Sequence, residues 1–264
     1  MGIINVTPDS FSDGGKHFKT EDAARAAREM IRDGADVLDL GAETTRPGSL
    51  PITEEEEWGR LEPVLAALRE TEDCPPISID TYRAGTARKA LDLGAAMIND
   101  VHAGRKDPEI LDVAAEAGVP IVLMHMLGEP ATMQIDPRYD DVVAEVREFL
   151  AERAAAAMAR GIPGEMIILD PGIGFGKNAD HNLTLVKNLP RVYPPGFVRL
   201  MALSRKAFLG KILRGAAPSD RDVGTAVLDG LSAFMGAHMV RSHNVALTSD
   251  AVKVAMAVRN GTPG

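Results

Sequence analysis

Short apolar runs recur along this chain. Each is followed by a polar or glycine-rich turn, then by a segment whose apolar residues fall three and four apart. Runs of the first kind read as buried strands and segments of the second as amphipathic helices. Strands are expected at 2–6, 36–40, 77–80, 97–101, 120–124, 166–170, 197–203 and 239–243. Helices are expected from Thr20 to a stop at Gly34, and from Thr53 onward with Trp58, Leu61, Val64 and Leu65 as the buried face. Further helices are expected at 84–93, 109–117, 140–160, 179–189, 225–237 and 249–258. Thr20 reads as a cap with Glu21 and Asp22 in the first turn, and Asp140 as the cap of the 140–160 helix. The acid run Glu54 to Glu57 reads as a solvated first turn favoured by the helix dipole.

Strict strand–helix alternation predicts a parallel α/β sheet. Eight such units in 264 residues favour a closed (β/α)8 barrel, the TIM barrel, over a doubly wound open sheet. The chain reads as a single domain, 1–264, without linker or low-complexity tract. Its first strand begins at Met1 or Gly2. The barrel floor is then closed either by the core's own side chains or by an upstream N-terminal segment.

Composition narrows the function. Hydrophobic residues make up 45% and charged residues 25%, as in ordinary globular proteins. A net charge of −9 argues against nucleic acid or an anionic membrane as a partner, though a local basic pocket stays open. No apolar run approaches the roughly 18 residues of a membrane span, and no signal-peptide pattern opens the chain. The single cysteine, Cys74, excludes internal disulfides and a cysteine-based zinc site, and fits a reducing, cytoplasmic setting. Six histidines occur without a His-x-His or His-Glu-x-x-His pair, so a metal-dependent hydrolase is a poor reading, and His125 reads as a ligand-wall or core imidazole.

In such a barrel the chemistry lies at the C-terminal ends of the strands. Reading those positions in order gives Asn5; Glu43 with Thr45 and Arg46; Asp80; Asn99 with Asp100; His125; Asp170; Lys206; and Arg241 with His243. Turn chemistry alone accounts for some of these. It does not account for Asp80, Asn99, Asp170 and Lys206, which follow purely apolar runs and must find partners if buried. Two carboxylates, an amide and an ammonium suit a fused heterocycle with amino and ring N–H donors and a carbonyl. Asn5, Arg46, Arg241 and His243 come from strands one, two and eight, which adjoin in a closed barrel, and read as a phosphate or pyrophosphate pocket. Asp9 and Asp13 are candidates to steady Mg2+ there. The stretch Asp170-Pro-Gly-Ile-Gly-Phe-Gly-Lys177 has neither the P-loop nor the dinucleotide spacing. Its three glycines are expected to let a ring approach the backbone closely.

Several stretches carry a resemblance. Gly2-Ile-Ile-Asn-Val-Thr-Pro-Asp-Ser-Phe-Ser-Asp-Gly-Gly15 and Gly41-Ala-Glu-Thr-Thr-Arg-Pro-Gly48 look like the first and second signatures of the dihydropteroate synthase family. Ser78-Ile-Asp-Thr81, Ile98-Asn-Asp100, Met124-His-Met126, Asp170 to Lys177, Ser204-Arg-Lys206 and Arg241-Ser-His243 match the remaining motifs in order. The resemblance implies a transferase of folate biosynthesis. It would condense 6-hydroxymethyl-7,8-dihydropterin pyrophosphate with 4-aminobenzoate to give 7,8-dihydropteroate and pyrophosphate. It implies that Asp80, Asn99, Asp170 and Lys206 hold the pterin. Asn5, Arg46, Arg241 and His243 would hold the pyrophosphate, with Mg2+ at Asn5. Thr45, Pro47, Phe175 and Lys206 would shape the aminobenzoate site, where sulfonamides compete. Asp80, Asp170, Lys206, Arg241 and His243 would carry the catalysis, in a homodimer formed through the later helices.

Two departures stand out: Ala207 where the family usually has serine, and Asn244 where it usually has aspartate after His243. They keep open a catalytically silent pterin-binding barrel. A methyltetrahydrofolate:corrinoid methyltransferase-like barrel would share the pterin grip but would not need Arg46, Arg241 and His243.

Overall fold

The computed structural model describes residues 1–7, 16–44 and 49–262. Its eight parallel strands are β1 (Gly2–Asn5), β2 (Leu38–Gly41), β3 (Ile77–Asp80), β4 (Met97–Asp100), β5 (Ile121–Met124), β6 (Ile167–Asp170), β7 (Val198–Met201) and β8 (Met239–Val240). They lie side by side in chain order. A parallel bridge between Gly2 and Ser242 joins the last strand to the first and closes the barrel. Ile3 N–H donates to Ser242 O at 3.0 Å, and Ser242 N–H to Met1 O at 3.0 Å.

The helices are α1 (Lys16–Arg32), α2 (Glu54–Arg69), α3 (Ala84–Asp92), α4 (Glu109–Ala117), α5 (Val142–Ala159), α6 (Ala179–Lys187), α7 (Leu189–Val192), α8 (Ala207–Ile212), α9 (Asp222–Phe234) and α10 (Val245–Asn260). The short α7 and α8 were not expected as separate elements. Helix α1 begins at Lys16, so Thr20 lies inside it and is not its cap. A threonine followed by acids marks a helix start only statistically, and it also sits within a helix. Asp141, one residue past the expected Asp140, caps α5 by accepting from Val143 N and Ala144 N. Helix α10 starts at Val245 on an Asn244 cap, four residues before the expected Ser249. Strand eight is correspondingly short, because Arg241 to His243 turn toward the barrel mouth.

Alternation along β2 shows how the barrel is packed. Leu38 and Leu40 face outward into a cluster with Ile4, Leu61, Val64, Leu65, Leu68 and Ile79, while Asp39 faces inward. The lower interior is filled by Met97, Val122, Ile168 and Leu200, with Met1, Val37, Val198 and Met239 against them. A larger outer cluster under α4 to α6 includes Ile110, Leu123, Val146, Leu150, Leu169 and Leu185. Burying Leu and Ile side chains is worth about 2 kcal/mol each, so these two layers hold the strands in register.

On α2, Thr53 Oγ1 accepts from Glu56 N at 3.2 Å, and the acids favour the positive helix end. The solvated-turn expectation fails at Glu57, which is fully buried. It accepts from Thr81 Oγ1 at 2.9 Å and Thr86 Oγ1 at 2.5 Å, and it pairs with Arg83 at 3.2 Å. A buried carboxylate needs such a set of donors.

Candidate active site

The polar residues expected at the strand ends converge above the apolar interior layer. The residue that ties them together was not among those expected. Asp39, fully buried on β2, accepts from Asn99 Nδ2 at 3.0 Å and from Arg241 Nε at 2.6 Å. Arg241 Nη2 reaches on to Asp80 Oδ2 at 2.9 Å. The guanidinium expected in an anion pocket thus also lies against the acids expected to hold a heterocycle. One cation is shared between two carboxylates, so Asp39 disfavours the charged form of Asp80. Burial, opposed by Arg241 and reinforced by Asp39, pushes Asp80 up to about 7.

Across the mouth, Asp170 ends β6 and is buried, with Oδ1 accepting from Gly172 N at 2.7 Å. Burial raises its carboxyl above the usual range, against the pull of that hydrogen bond and of Lys206. Lys206 opens α8, and its Nζ sits 4.2 Å from the centre of the Phe175 ring. Burial lowers its ammonium to about 8, with Asp170 pulling the other way. Arg205 is held in the left-handed region at φ 57°, where a non-glycine residue is strained. It is fixed there by two bonds to Asp222, at 2.7 and 2.8 Å, and by its N–H on Thr225 Oγ1 at 3.1 Å. From that turn Lys206 reaches Phe175 and Ser204 reaches His243.

Ser204 orients His243. The His243 N–H donates to Ser204 Oγ at 3.0 Å, and Nδ1 lies 2.8 Å from the same oxygen. Nε2 lies 3.5 Å from Asn5 Nδ2. Burial, then Arg205 and Arg241, push the imidazole down to about 3. His243 is therefore neutral at ordinary pH and offers the pocket a hydrogen-bonding group. Asn244 takes up the role of helix cap: its Oδ1 accepts from Leu247 N at 3.1 Å, and its Nδ2 donates to Asp222 Oδ2 at 3.1 Å. Ala207 is the first residue of α8.

Thr45, Arg46 and Pro47 lie outside the described residues, as do Asp9 and Asp13. The described flanks of the second loop are firmly held. Arg83 pairs with Glu43 at 2.8 Å and donates to Ile52 O, while Arg60 Nη1 donates to Ala42 O at 2.8 Å.

The glycines of 170–177 serve a purpose other than the expected one. A Cβ on Gly172 would lie 1.8 Å from His125 O, and one on Gly176 2.4 Å from Leu127 O. Their close approach is to the backbone after β5. Gly174 alone faces the site, where a Cβ would meet Lys206 Cδ at 3.1 Å. Lys177, also missed, is buried behind this loop. A signal for Asp39 was present: flanked by Leu38 and Leu40, it had to face away from both. Nothing local distinguishes Lys177 or Arg205.

Fold and site together define a (β/α)8 enzyme whose mouth gathers acids, amides and buried cations. The family model of pterin-binding enzymes matches residues 1–243. A dihydropteroate synthase of Synechocystis is 45% identical over 98% of this chain and 89% of that protein. The crystal structure of Xanthomonas albilineans dihydropteroate synthase with 4-aminobenzoic acid superposes with a TM-score of 0.91 at 44% identity, covering 98% of this chain and 92% of that one. That of Yersinia pestis dihydropteroate synthase in complex with a sulfonamide drug gives 0.91 at 37%, covering 98% and 94%. The chain belongs to the pterin-binding enzymes and, within them, to the dihydropteroate synthase family.

Proposed function

We infer that the chain is the transferase that joins 6-hydroxymethyl-7,8-dihydropterin pyrophosphate to 4-aminobenzoate. The C–O bond to pyrophosphate breaks, a C–N bond forms from the arylamine, and the amine loses one proton. The observation that carries this reading is the convergence of Asp39, Asp80, Asn99 and Arg241 in one buried network that faces Asp170 and Lys206.

Asp80, Asn99, Asp170 and Lys206 hold the pterin edge, with Asp39 setting the Asn99 amide. Asn5, Arg46, Arg241 and His243 receive the leaving pyrophosphate, whose developing charge they stabilise. Thr45, Pro47, Phe175 and Lys206 form the aminobenzoate side, where sulfonamides compete. No side-chain nucleophile is needed. The pterin ring disperses the charge left on its methylene, and the barrel contributes positioning and exclusion of water.

Mg2+ fits the donor chemistry at Asn5. The Asn5 Nδ2 faces His243, which leaves Oδ1, a hard oxygen donor, for a cation that takes its other ligands from phosphate and water. Bound there, Mg2+ supplies charge neutralisation to the pyrophosphate.

The reading extends to a cytoplasmic homodimer. Its support is an exposed apolar stripe of Val223, Val227, Leu231 and Phe234 on α9, continued by Leu247, Val254 and Val258 on α10. Light scattering should give twice the chain mass; a monomer mass rejects the dimer. No helix among the described residues is long and apolar enough to cross a membrane.

Purified protein with Mg2+, the pterin pyrophosphate and 4-aminobenzoate should release pyrophosphate. Pterin binding without release would assign the chain instead to a silent pterin-binding barrel. Asp170→Asn should weaken pterin binding far more than Asp112→Asn, whose carboxylate pairs with Arg160 outside the barrel. Equal effects would sink the pterin assignment.

A further inference from the structure

We propose that Lys177 is a positioning residue: it clamps the glycine loop from behind and so sets Phe175 as a wall for the second substrate. The inference rests on the assignment of Phe175 to the aminobenzoate side.

Lys177 is 2% exposed, and its Nζ has three partners. They are His125 Nδ1 at 2.8 Å, Gly172 O at 2.9 Å and Phe175 O at 3.0 Å. Burial pushes the Lys177 ammonium well below its ordinary range, and charged or neutral the nitrogen has each of its hydrogen-bonding positions taken by this set. Lys177 therefore has nothing left to offer a ligand, and its role differs from that of Lys206. The Nζ–Nδ1 contact ties the His125 ring to the lysine. His125 is itself fixed, its ring edge-on to Phe149 at 4.8 Å and its backbone N–H donating to the Asp170 carbonyl at 2.9 Å.

The loop needs such a clamp. Gly172, Gly174 and Gly176 take φ of 65°, 84° and 63°, and between them only the Phe175 N–H to Gly172 O bond, at 3.0 Å, ties the backbone to itself. Three glycines in five residues give the free chain wide freedom. The loop's own Lys177 and side chains from the chain after β5 remove it. Lys177 takes the carbonyls at both ends of the Gly172–Phe175 turn, Tyr139 Oη donates to Gly176 O at 2.8 Å, and Gln134 Nε2 donates to Gly174 O at 2.5 Å. Of these, Lys177 is the one that is fully buried and spans the turn. The result is a Phe175 ring fixed between Val101, Met124, Met126 and Met133 on one side and Lys206 Nζ on the other.

The test is Lys177→Met, which keeps length and removes the donors. We expect the KM for 4-aminobenzoate to rise at least tenfold, the dissociation constant for the pterin pyrophosphate to stay within twofold, and hydrogen exchange of the 171–177 peptide to accelerate. An unchanged exchange rate, or equal losses for both substrates, would overturn the proposal. If Lys177→Met does not fold, His125→Leu removes one of the three partners and should raise the same KM about threefold with pterin binding intact; no selective rise there overturns it. Phe175→Ala separates the two layers of the argument. An unchanged KM in Phe175→Ala rejects the wall assignment itself. A raised KM there beside an unchanged one in Lys177→Met rejects the clamp alone.

Discussion

The two sides of the barrel mouth are built by different means. On the side of β1 to β4 and β8, side chains hold one another: Arg241 spans Asp39 and Asp80, Asp39 takes Asn99, and Asn5 meets His243. On the side of β5 to β7, backbone is held by backbone and by buried donors. Gly172 and Gly176 lie against the chain after β5, and Lys177 binds the carbonyls between them. The first side stores charge that a ligand can re-pair. The second stores shape, which a ligand meets ready-made. An electrophile that must release pyrophosphate needs adjustable charge around the leaving group, and a planar second substrate needs a fixed wall.

This contrast is easiest to break at Gly172. A Cβ 1.8 Å from a carbonyl oxygen, at positive φ, has no small rearrangement open to it. Gly172→Ala should cost upwards of about 4 kcal/mol in urea denaturation, while Gly174→Ala, whose Cβ meets only the flexible Lys206 stem, should cost only the positive-φ strain of about 1–3 kcal/mol. Similar costs for the two would remove the distinction between a backbone-built and a ligand-facing glycine.

On the opposite side, Asp39→Ala strips Arg241 of one carboxylate and Asn99 of its acceptor. Breaking a buried pair in this way costs about 3–5 kcal/mol, and pterin affinity should fall with it. A stable variant that binds pterin normally would show that Arg241 and Asn99 do not depend on Asp39.

Within the charged network, Asp80 is the group that should titrate nearest neutral pH. Asp80 is held up to about 7 from an ordinary 3.8, so the folded chain keeps a proton that the unfolded chain releases. Its contribution to stability is present at acid pH and is lost as pH rises through about 7. Pterin N–H groups need the carboxylate, so affinity should move the opposite way, rising up to tenfold per unit (~1.4 kcal/mol) as pH climbs toward 7. Calorimetry from acid to neutral pH measures this, and Asp80→Asn should reduce the slope, with Asp229, held up to about 7, and Asp100, held up to about 6 by burial, keeping a share of the stability profile. An undiminished slope in the variant places the titrating group elsewhere.

The smallest effect is expected at Asn244. Its Oδ1 caps α10, so Asn244→Ala should cost about 1 kcal/mol, whereas Asn244→Asp keeps the cap but sets a second carboxylate against Asp222 and should lower the melting temperature slightly. A large loss of turnover in Asn244→Asp would show that the amide bond to Asp222 matters for His243.

The repeated pattern of apolar run, turn and amphipathic segment determined the barrel and the strand ends that carry Asp80, Asn99, Asp170 and Lys206. Those are local properties: burial of a run on both faces and the period of a helix are written in neighbouring residues. Tertiary structure decided what those ends touch. That Arg241 would lie on Asp39 and Asp80, 202 and 161 residues away, depends on barrel closure through Ser242 and Gly2. That Glu57 would be buried and not solvated depends on Thr81, Thr86 and Arg83 arriving from β3 and α3. That the glycines would serve His125 and Leu127, with Lys177 turned inward behind them, depends on β5 and β6 being neighbours. Spacing along a chain fixes which face a residue takes. Which partner waits at that face is set by strands far away in sequence, and there the free energy of burying a charge chooses the arrangement.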